Sequence, residues 1–152
     1  MEAKILSLDE IQLFKAAITH LLCSNIRINL PQIEDAEDAA KKHYENLLEY
    51  YGNGSVIFLG AIENNSLAGI IWAYRKPFLN ETRVHLRDIV VNPDYRGSGV
   101  GTLLENKLME VMKAEGIKTI ELMAMTHNDG ARNFYKKLGY SETRVFLEKT
   151  IE

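Results

Sequence analysis

Cysteine, proline and long apolar runs are scarce in this sequence of 152 residues, and each scarcity excludes a class of structure. Cys23 is the single cysteine, so an intramolecular disulfide and a cysteine-based zinc cluster are both excluded. The three prolines and the lack of low-complexity tracts leave no mark of a domain boundary, which predicts one domain over residues 1–152. No apolar run approaches the roughly 20 residues that a membrane-spanning helix needs.

An excess of basic charge is also lacking. The formal net charge of −3 argues against a protein that binds nucleic acid or an anionic membrane over a broad surface. The stretch MEAKILSLDE has neither the basic nor the apolar region of a secretory signal, so we expect a cytoplasmic protein. We predict no metal, because no metal-ligand spacing relates the four histidines, which are His20, His43, His85 and His127.

Hydrophobic periodicity predicts the order β-α-α-β-β-β-α-β-α-β, a mixed sheet flanked by helices and therefore the α/β fold class. Ser7 and Glu10 form a capping box before the first helix, and Asn64-Asn65 is a hairpin turn between two β-rich runs. The later elements are a strand in TRVHLRDIVVN, a helix over Leu103–Glu115, a strand in KTIELMAM, a helix in DGARNFYKKLG and a final strand in SETRVFLEKTI.

Regular alternation divides the strand TRVHLRDIVVN into two faces. It predicts one face with Val84, Leu86 and Val90 and an opposite face with His85, Arg87, Ile89 and Val91.

The stretch NPDYRGSGVGTLLENKL spaces Gly97, Gly99 and Gly101 two residues apart, directly before a helix. A glycine turn in this place presents free N–H groups at the positive end of the helix dipole, which is an anion site suited to phosphate. Arg96 adds a bidentate phosphate partner. The stretch is not a Walker loop, because no lysine follows Gly101, and it is not a dinucleotide fingerprint, because Thr102 occupies the place of the third glycine. A tight strand-to-helix connection without a ligand stays open.

Together with THNDGARNFYKKLGY, this stretch resembles the GNAT superfamily of N-acetyltransferases. The R/Q-x-x-G-x-G/A motif of that family is matched by Arg96, Gly99 and Gly101, and its V-x-P entry by Val91 and Pro93. Its second motif is matched by Asn128, Ala131, Tyr135, Gly139 and Tyr140. The strong part of the resemblance runs from Val84 to Tyr140.

The resemblance implies an acetyl-CoA-dependent N-acetyltransferase. Its pyrophosphate-binding loop would consist of Arg96, Gly97, Ser98, Gly99, Val100, Gly101 and Thr102. The pantetheine arm would pair with the main chain of Ile89, Val90 and Val91, where one N–H group polarises the thioester carbonyl. Asn128 would hold the pantetheine arm or orient the next helix, and a plain turn cap stays open for it.

The resemblance also assigns the acid of the reaction but leaves the base open. Tyr135 would protonate the departing thiolate, unless it is simply an interfacial aromatic residue. The histone-type branch of the family has a glutamate at the position of His85, and this departure puts a direct carboxylate base in doubt. Histidine can serve because imidazole titrates near neutral pH, and Asp88 is the other candidate. Alternation puts these two residues on opposite faces, which a bulge between them would change, and either can be a plain hydrogen-bonded strand residue.

The acceptor amine is not identified by the sequence: a polyamine, amino acid, antibiotic, aminosugar or protein N-terminus all stay open. An acidic group could attract an amine or could be a solvated helix N-terminus, namely Glu34, Asp35, Glu37 and Asp38. Trp72, Tyr74 and Phe78 either line the acceptor mouth or belong to the core. The alternative function is a non-catalytic acyl-CoA-binding module of the same fold; a third is a protein that uses the fold only for partner contacts. A homodimer stays open.

Overall fold

A five-stranded sheet with helices on both faces organises the fold, which a computed structural model describes for residues 1–152. The elements in chain order are β1 (Glu2–Ile5), α1 (Leu8–Leu13), α2 (Lys15–Asn29), α3 (Ala36–Tyr51), β2 (Val56–Glu63), β3 (Ser66–Phe78), β4 (Glu81–Val91), a 3₁₀ turn (Pro93–Tyr95), α4 (Val100–Ala114), β5 (Ile120–Leu122) and α5 (Asp129–Lys137). The strands lie side by side in chain order, antiparallel except for the parallel pair β4 and β5. The predicted α/β class with a mixed sheet is confirmed.

Two apolar cores lie on the two faces of this sheet. On one face, α2 and α3 pack on β2, β3 and the end of β4, with Trp72, Phe58 and Leu47 fully enclosed. On the other face, α4 buries Leu104 and Leu108 against Ile71 and Leu86. Each side chain of this kind that leaves water contributes about 1.5–3 kcal/mol to the free energy of unfolding, so both faces of the sheet are anchored.

Local sequence signals at two element ends are confirmed. Ser7 N–H donates to Glu10 Oε2 at 2.8 Å and Glu10 N–H donates to Ser7 Oγ at 3.2 Å, which completes the predicted capping box. Asn64 and Asn65 have φ of 50° and 62°, so both occupy the left-handed region that a tight hairpin turn requires.

The helices differ from the predicted bounds in two places. The first predicted helix is divided at Phe14, whose φ of −91° and ψ of 15° leave helical geometry and separate α1 from α2. Helix α4 begins at Val100 rather than Leu103, because Gly99 at φ 82° already directs the chain into the helix.

The predicted final strand in SETRVFLEKTI is wrong: no sheet pairing involves residues 141–152. A short run of β-prone residues alone does not make a strand, since a strand also needs a partner edge, and β5 offers only three residues. The apolar side chains of this segment stay exposed, namely Val145, Phe146, Leu147 and Ile151. Two ion pairs attach the first residues of this segment to the rest of the protein instead. They are Arg132–Glu142 at 2.6 Å and Arg144–Glu121 at 4.0 Å.

Strand β4 contains a bulge at Arg87. In the β3–β4 register, Trp72 pairs with Asp88 and Ala73 pairs with Leu86, so Arg87 has no partner residue. An extra residue reverses the side-chain alternation beyond it. Leu86 therefore faces α4, whereas Val90 belongs to the core under α2 and α3. The predicted common face of Leu86 and Val90 is wrong for this reason.

Gly69 is required where β3 passes beneath α4. A Cβ atom at Gly69 would lie 2.9 Å from the Val90 carbonyl oxygen and 3.0 Å from Val100 Cγ1. We expect Gly69→Ala to lower the free energy of unfolding by about 1–3 kcal/mol through overpacking, measured by urea denaturation. Gly52→Ala is the matched control, because its Cβ meets only the Glu49 carbonyl at 3.5 Å and its φ is −65°. Equal stability of the two variants would contradict the packing argument.

Candidate active site

The bulge brings His85 and Asp88 to the same face of the sheet. His85 stacks on Tyr74 with ring centroids 5.0 Å apart, and Asp88 accepts hydrogen bonds from α2 and α3 on that face. Both residues are buried, with 7% and 9% of their surface exposed. The two candidate bases are thus neighbours in one site rather than residues on opposite faces.

Strands β4 and β5 separate immediately before the bulge. Their parallel pairing covers only Val84 to Leu86 on β4, matched with Ile120 to Leu122 on β5. β4 continues to Val91 with no neighbour on this side. A gap in the sheet pairing therefore begins next to the candidate bases.

The hydrogen-bond pattern shows which main-chain groups of β4 face this gap. Asn92 N–H donates to the Ala68 carbonyl at 2.8 Å, and the register back to the bulge is regular. Because hydrogen-bonded and non-bonded pairs alternate along an antiparallel ladder, the main-chain N–H and C=O groups of Val90 point toward β3. The main-chain N–H and C=O groups of Ile89 and Val91 therefore point into the gap. Of the three residues predicted to use their main chain, these two therefore have free donors and acceptors there.

The glycine loop ends at the start of α4. Gly97 and Gly99 have φ of 79° and 82°, which favours glycine, and nothing lies within 4 Å of a Cβ atom at either position. Gly99 is the N-cap of α4 and supplies no side-chain cap. The first N–H groups of the helix, at Val100, Gly101 and Thr102, therefore point outward without an intrahelical partner. This is the free-amide cluster that an anion needs.

Gly101 has a different reason to be glycine. Its Cβ would lie 3.0 Å from Phe134 Cζ, so the residue allows α5 to pack against α4. Ser98 is fixed by its own hydroxyl, which donates to the Tyr95 carbonyl. Arg96 is exposed and has no carboxylate within 4.0 Å, which leaves its guanidinium available beside the free amides.

Helix α5 begins at Asn128, which acts as its N-cap. The Asn128 side chain accepts the Ala131 N–H at 3.1 Å, so the cap reading that the sequence left open is correct for its oxygen. About two turns after this cap, Tyr135 packs edge-on against Phe134 and Tyr140, each at 5.6 Å between ring centroids. Burial raises the pKa of Tyr135 to about 12, and the negative charge of Asp88 adds to the shift. The phenol therefore stays protonated over the physiological pH range.

A chain of amide side chains connects α5 to the candidate base Asp88. Asn128 Nδ2 donates to Asn29 Oδ1 at 2.9 Å, and Asn29 Nδ2 donates to Asn25 Oδ1 at 2.8 Å. Asn25 Nδ2 donates to Asp88 Oδ1 at 2.9 Å, and the other carboxylate oxygen lies 2.9 Å from His43 Nε2. Both oxygens of Asp88 are thus held in place, which suits a structural and electrostatic role.

His85 has a carboxylate partner on β5. Its Nδ1 lies 3.0 Å from Glu121 Oε2, and because a carboxylate only accepts, this nitrogen carries the proton. The other nitrogen, Nε2, is then the basic one. Although burial works against the charge of Glu121, hydrogen bonds from His85 and Lys76 lower the pKa of its carboxyl. Glu121 is therefore ionised at neutral pH and orients the imidazole.

A cavity of about 310 Å³ lies at the mouth of the gap. It is lined by Tyr74, His85, Leu86, Arg87 and Met123. A larger cavity of about 510 Å³ borders the glycine loop, with Arg96, Ser98 and Gly99 on one wall and Met1 and Glu63 opposite. The smaller cavity is the one lined by a candidate base, His85.

Several residues of this site were absent from the sequence prediction, namely Asn25, Asn29, His43 and Glu121. They lie on three different elements, and no spacing relates them to the recognised motifs. A weak signal existed for Glu121, which is the single charged residue inside the apolar run IELMAM.

The structure places the predicted acceptor-site residues in different environments. Tyr74 lines the small cavity, whereas Trp72 is core, with 1% of its surface exposed. Phe78 lies at the far end of β3, where the Arg83 guanidinium covers its ring at 3.7 Å. The acidic group forms the start of α3: Asp35 caps the helix by accepting Asp38 N–H, and Asp38 pairs with Lys42. The reading of this group as a solvated helix N-terminus describes its contacts.

No group of three or more His, Cys, Asp or Glu side chains is arranged to hold a metal ion. None of the helices combines the length and apolar character that crossing a membrane requires.

Comparisons with known proteins agree with this geometry. The model of the Acetyltransferase (GNAT) family matches residues 16–140. An uncharacterised N-acetyltransferase of Methanocaldococcus jannaschii is 45% identical over 60 residues, which make up 40% of this chain and only 26% of that protein. The uncharacterised N-acetyltransferase YycN of Bacillus subtilis is 25% identical over 120 residues, 78% of this chain and 77% of that protein.

A solved structure shares the fold over nearly the whole chain. It is described as a predicted acetyltransferase with acetyl-CoA from Clostridium acetobutylicum, and it superposes with a TM-score of 0.78 at 20% identity, covering 98% of this chain and 95% of that one. The family match spans the gap, the glycine loop and α5, so this chain belongs to the acetyltransferase (GNAT) family and is an N-acetyltransferase.

Proposed function

We propose that residues 1–152 act as one domain that transfers an acetyl group from acetyl-CoA to a primary amine by direct attack, with both substrates bound together. One observation carries the proposal. Along the chain, the open main-chain edge of Ile89 and Val91 comes between His85, which lines the cavity, and the free-amide cluster of the glycine loop. A long donor with phosphates at one end and a reactive group at the other fits this arrangement.

The residues present fit such a donor. The unpartnered amides at the start of α4 and the unpaired guanidinium of Arg96 would hold its pyrophosphate. The main-chain groups of Ile89 and Val91 would pair with the amides of the pantetheine arm, and one N–H group would polarise the carbonyl that is attacked. When bound, acetyl-CoA supplies a thioester that is already activated for transfer.

His85 is the better of the two candidate bases. Its Nε2 is free because Glu121 holds the proton on Nδ1, and the side chain lines the cavity. Asp88 already accepts from Asn25 and from His43, so it organises the site, and its charge adds to the burial that raises the pKa of Tyr135. As the C–N bond forms and the C–S bond breaks, Nε2 of His85 takes a proton from the amine and Tyr135 gives one to the sulfur.

Titration of the purified protein with acetyl-CoA in a thermal-shift assay tests the donor. We expect a rise in melting temperature equivalent to about 2.7 kcal/mol at roughly 100 times the dissociation constant, and none with ATP or NAD.

Gly99→Val should abolish the shift, because a β-branched residue is strained at φ 82° and covers the free amides. Arg96→Ala should weaken it, whereas Arg27→Ala, at an exposed arginine that pairs with Glu37, should leave it unchanged. No shift with folded protein would refute the donor.

Tyr135→Phe separates an enzyme from a module that only binds acyl-CoA. We expect kcat to fall roughly 100-fold or more while the acetyl-CoA thermal shift is retained, because only the proton donor is lost. Tyr50→Phe, at an exposed position on α3, should be neutral. Since the pKa of Tyr135 is about 12, no loss of rate below about pH 11 should come from this phenol. An unchanged kcat would contradict the role of Tyr135 as the acid.

Comparison of His85→Gln with Asp88→Asn identifies the base. We expect His85→Gln to lower kcat/KM roughly 100-fold and to remove the fall in rate on the acid side of the pH–rate profile. Asp88→Asn should lower the rate but keep that acid limb, because it disturbs the contacts of Asn25 and His43 rather than the proton acceptor. The opposite pattern would assign the base to Asp88.

A further inference from the structure

Arg87 occupies an unusual position beside the reacting centre. It is the residue that the bulge leaves unpaired in β4, its side chain is exposed, and it lines the 310 Å³ cavity together with His85 and Tyr74. The catalytic roles described above do not use it.

Arg87 also differs from most arginines of the chain in having no carboxylate partner. Of the seven arginines, five lie within 4.0 Å of a carboxylate: Arg27, Arg75, Arg83, Arg132 and Arg144. The other two are Arg96, at the glycine loop, and Arg87. An unpaired guanidinium in the wall of a cavity is a ready site for an anion.

The guanidinium of Arg87 is held in place although it has no counter-ion. Its Cζ lies 4.8 Å from the centre of the buried Trp72 ring, a cation–π contact. Its Nη2 lies 3.5 Å from His43 Nδ1. Because arginine only donates, Nδ1 of His43 accepts, and His43 Nε2–H then donates to Asp88. The remaining N–H groups of Arg87 have no partner in the protein.

The neighbouring carboxylates do not compete for Arg87. Glu121 lies between Lys76 at 3.2 Å and His85 at 3.0 Å, with Arg83 at 3.9 Å and Arg144 at 4.0 Å. Asp88 is bound by Asn25 and His43. In the acidic group at the start of α3, Asp35 and Asp38 interact with their own helix. Glu37 pairs with Arg27 of α2 at 3.7 Å. The wall of the cavity around Arg87 is therefore positive, which disfavours a polycationic acceptor.

We propose that the acetyl acceptor carries a carboxylate besides its reactive amine and that Arg87 binds this carboxylate. The inference rests on the proposed function, and it places the acceptor among amino acids and short peptides rather than polyamines. A cavity of 310 Å³ accommodates molecules of this size. Arg87 fixes the carboxylate while the amine reaches His85, two residues earlier on the same strand.

Matched acceptors that differ only in the carboxylate test the proposal: L-lysine against cadaverine, and L-alanine against ethylamine. With acetyl-CoA fixed and thiol release measured, we expect kcat/KM to be roughly 10- to 100-fold higher for the carboxylate-bearing member of a pair. Arg87→Gln should remove this preference mainly by raising the KM of the carboxylate-bearing member of each pair, while the acetyl-CoA thermal shift is retained. Arg87→Lys should keep part of the preference as a point charge.

Arg27→Gln is the control for loss of a positive charge, and its preference should equal that of the wild type. Equal kcat/KM within both pairs, or equal losses for both members in Arg87→Gln, would overturn the proposal. A stronger preference for phosphoethanolamine over ethanolamine than for lysine over cadaverine would also overturn it, in favour of a phosphate.

Isothermal titration calorimetry compares the binding affinities of the two members of a pair in the absence of acetyl transfer. We expect L-lysine to bind the protein–coenzyme A complex at least tenfold more tightly than cadaverine, and this difference to disappear in Arg87→Gln. Equal affinities overturn the carboxylate inference alone. Failure of acetyl-CoA to shift the melting temperature overturns the proposed function itself, so the two failures are distinguishable.

Discussion

The unpaired residue in β4 decides how this strand meets both of its neighbours. Because Arg87 has no partner on β3, the side-chain alternation reverses there, and His85, Asp88 and Val90 come to face α2 and α3. The pairing with β5 ends one residue earlier, so the far half of β4 has a free main-chain edge. One local irregularity thus coincides with the gap, brings the two candidate bases His85 and Asp88 to one face and leaves the guanidinium of Arg87 at the cavity wall.

Hydrogen bonds from neighbouring side chains, more than the shape of the cavity, hold the polar residues of the site in position. The amide chain from Asn128 to Asn25 joins α5, α2 and β4, and it fixes the buried carboxylate of Asp88. Glu121 plays the same part for His85 from the other side of the gap. Preorganised dipoles and charges of this kind act without reorganisation when the reaction occurs, which is where an enzyme that uses an activated donor gains most of its rate.

Many features could be predicted from the sequence because they depend on residues close together in the chain. The capping box of Ser7 and Glu10, the Asn64-Asn65 turn and the glycine loop before α4 each need a few neighbouring residues of the correct type. The motif around Asn128 and Tyr135 likewise lies within a single helix and its cap. The prediction of a final strand was wrong for the opposite reason. Its β-prone residues are neighbours in the chain, but the strand edge that they would need as a partner is formed only in the folded protein.

By itself, the sequence determined the fold class through its periodicity, and it indicated the family through the resemblance of two motifs, each contained in a short stretch of chain. Only the tertiary structure decided which polar residues meet. Glu121 reaches His85 across 36 positions, and Asn25 reaches Asp88 across 63. The tertiary structure also decided which arginines have a carboxylate partner: five of them do, whereas Arg87 has none. Such pairings depend on strand register and on the bulge, which no short pattern in the sequence specifies.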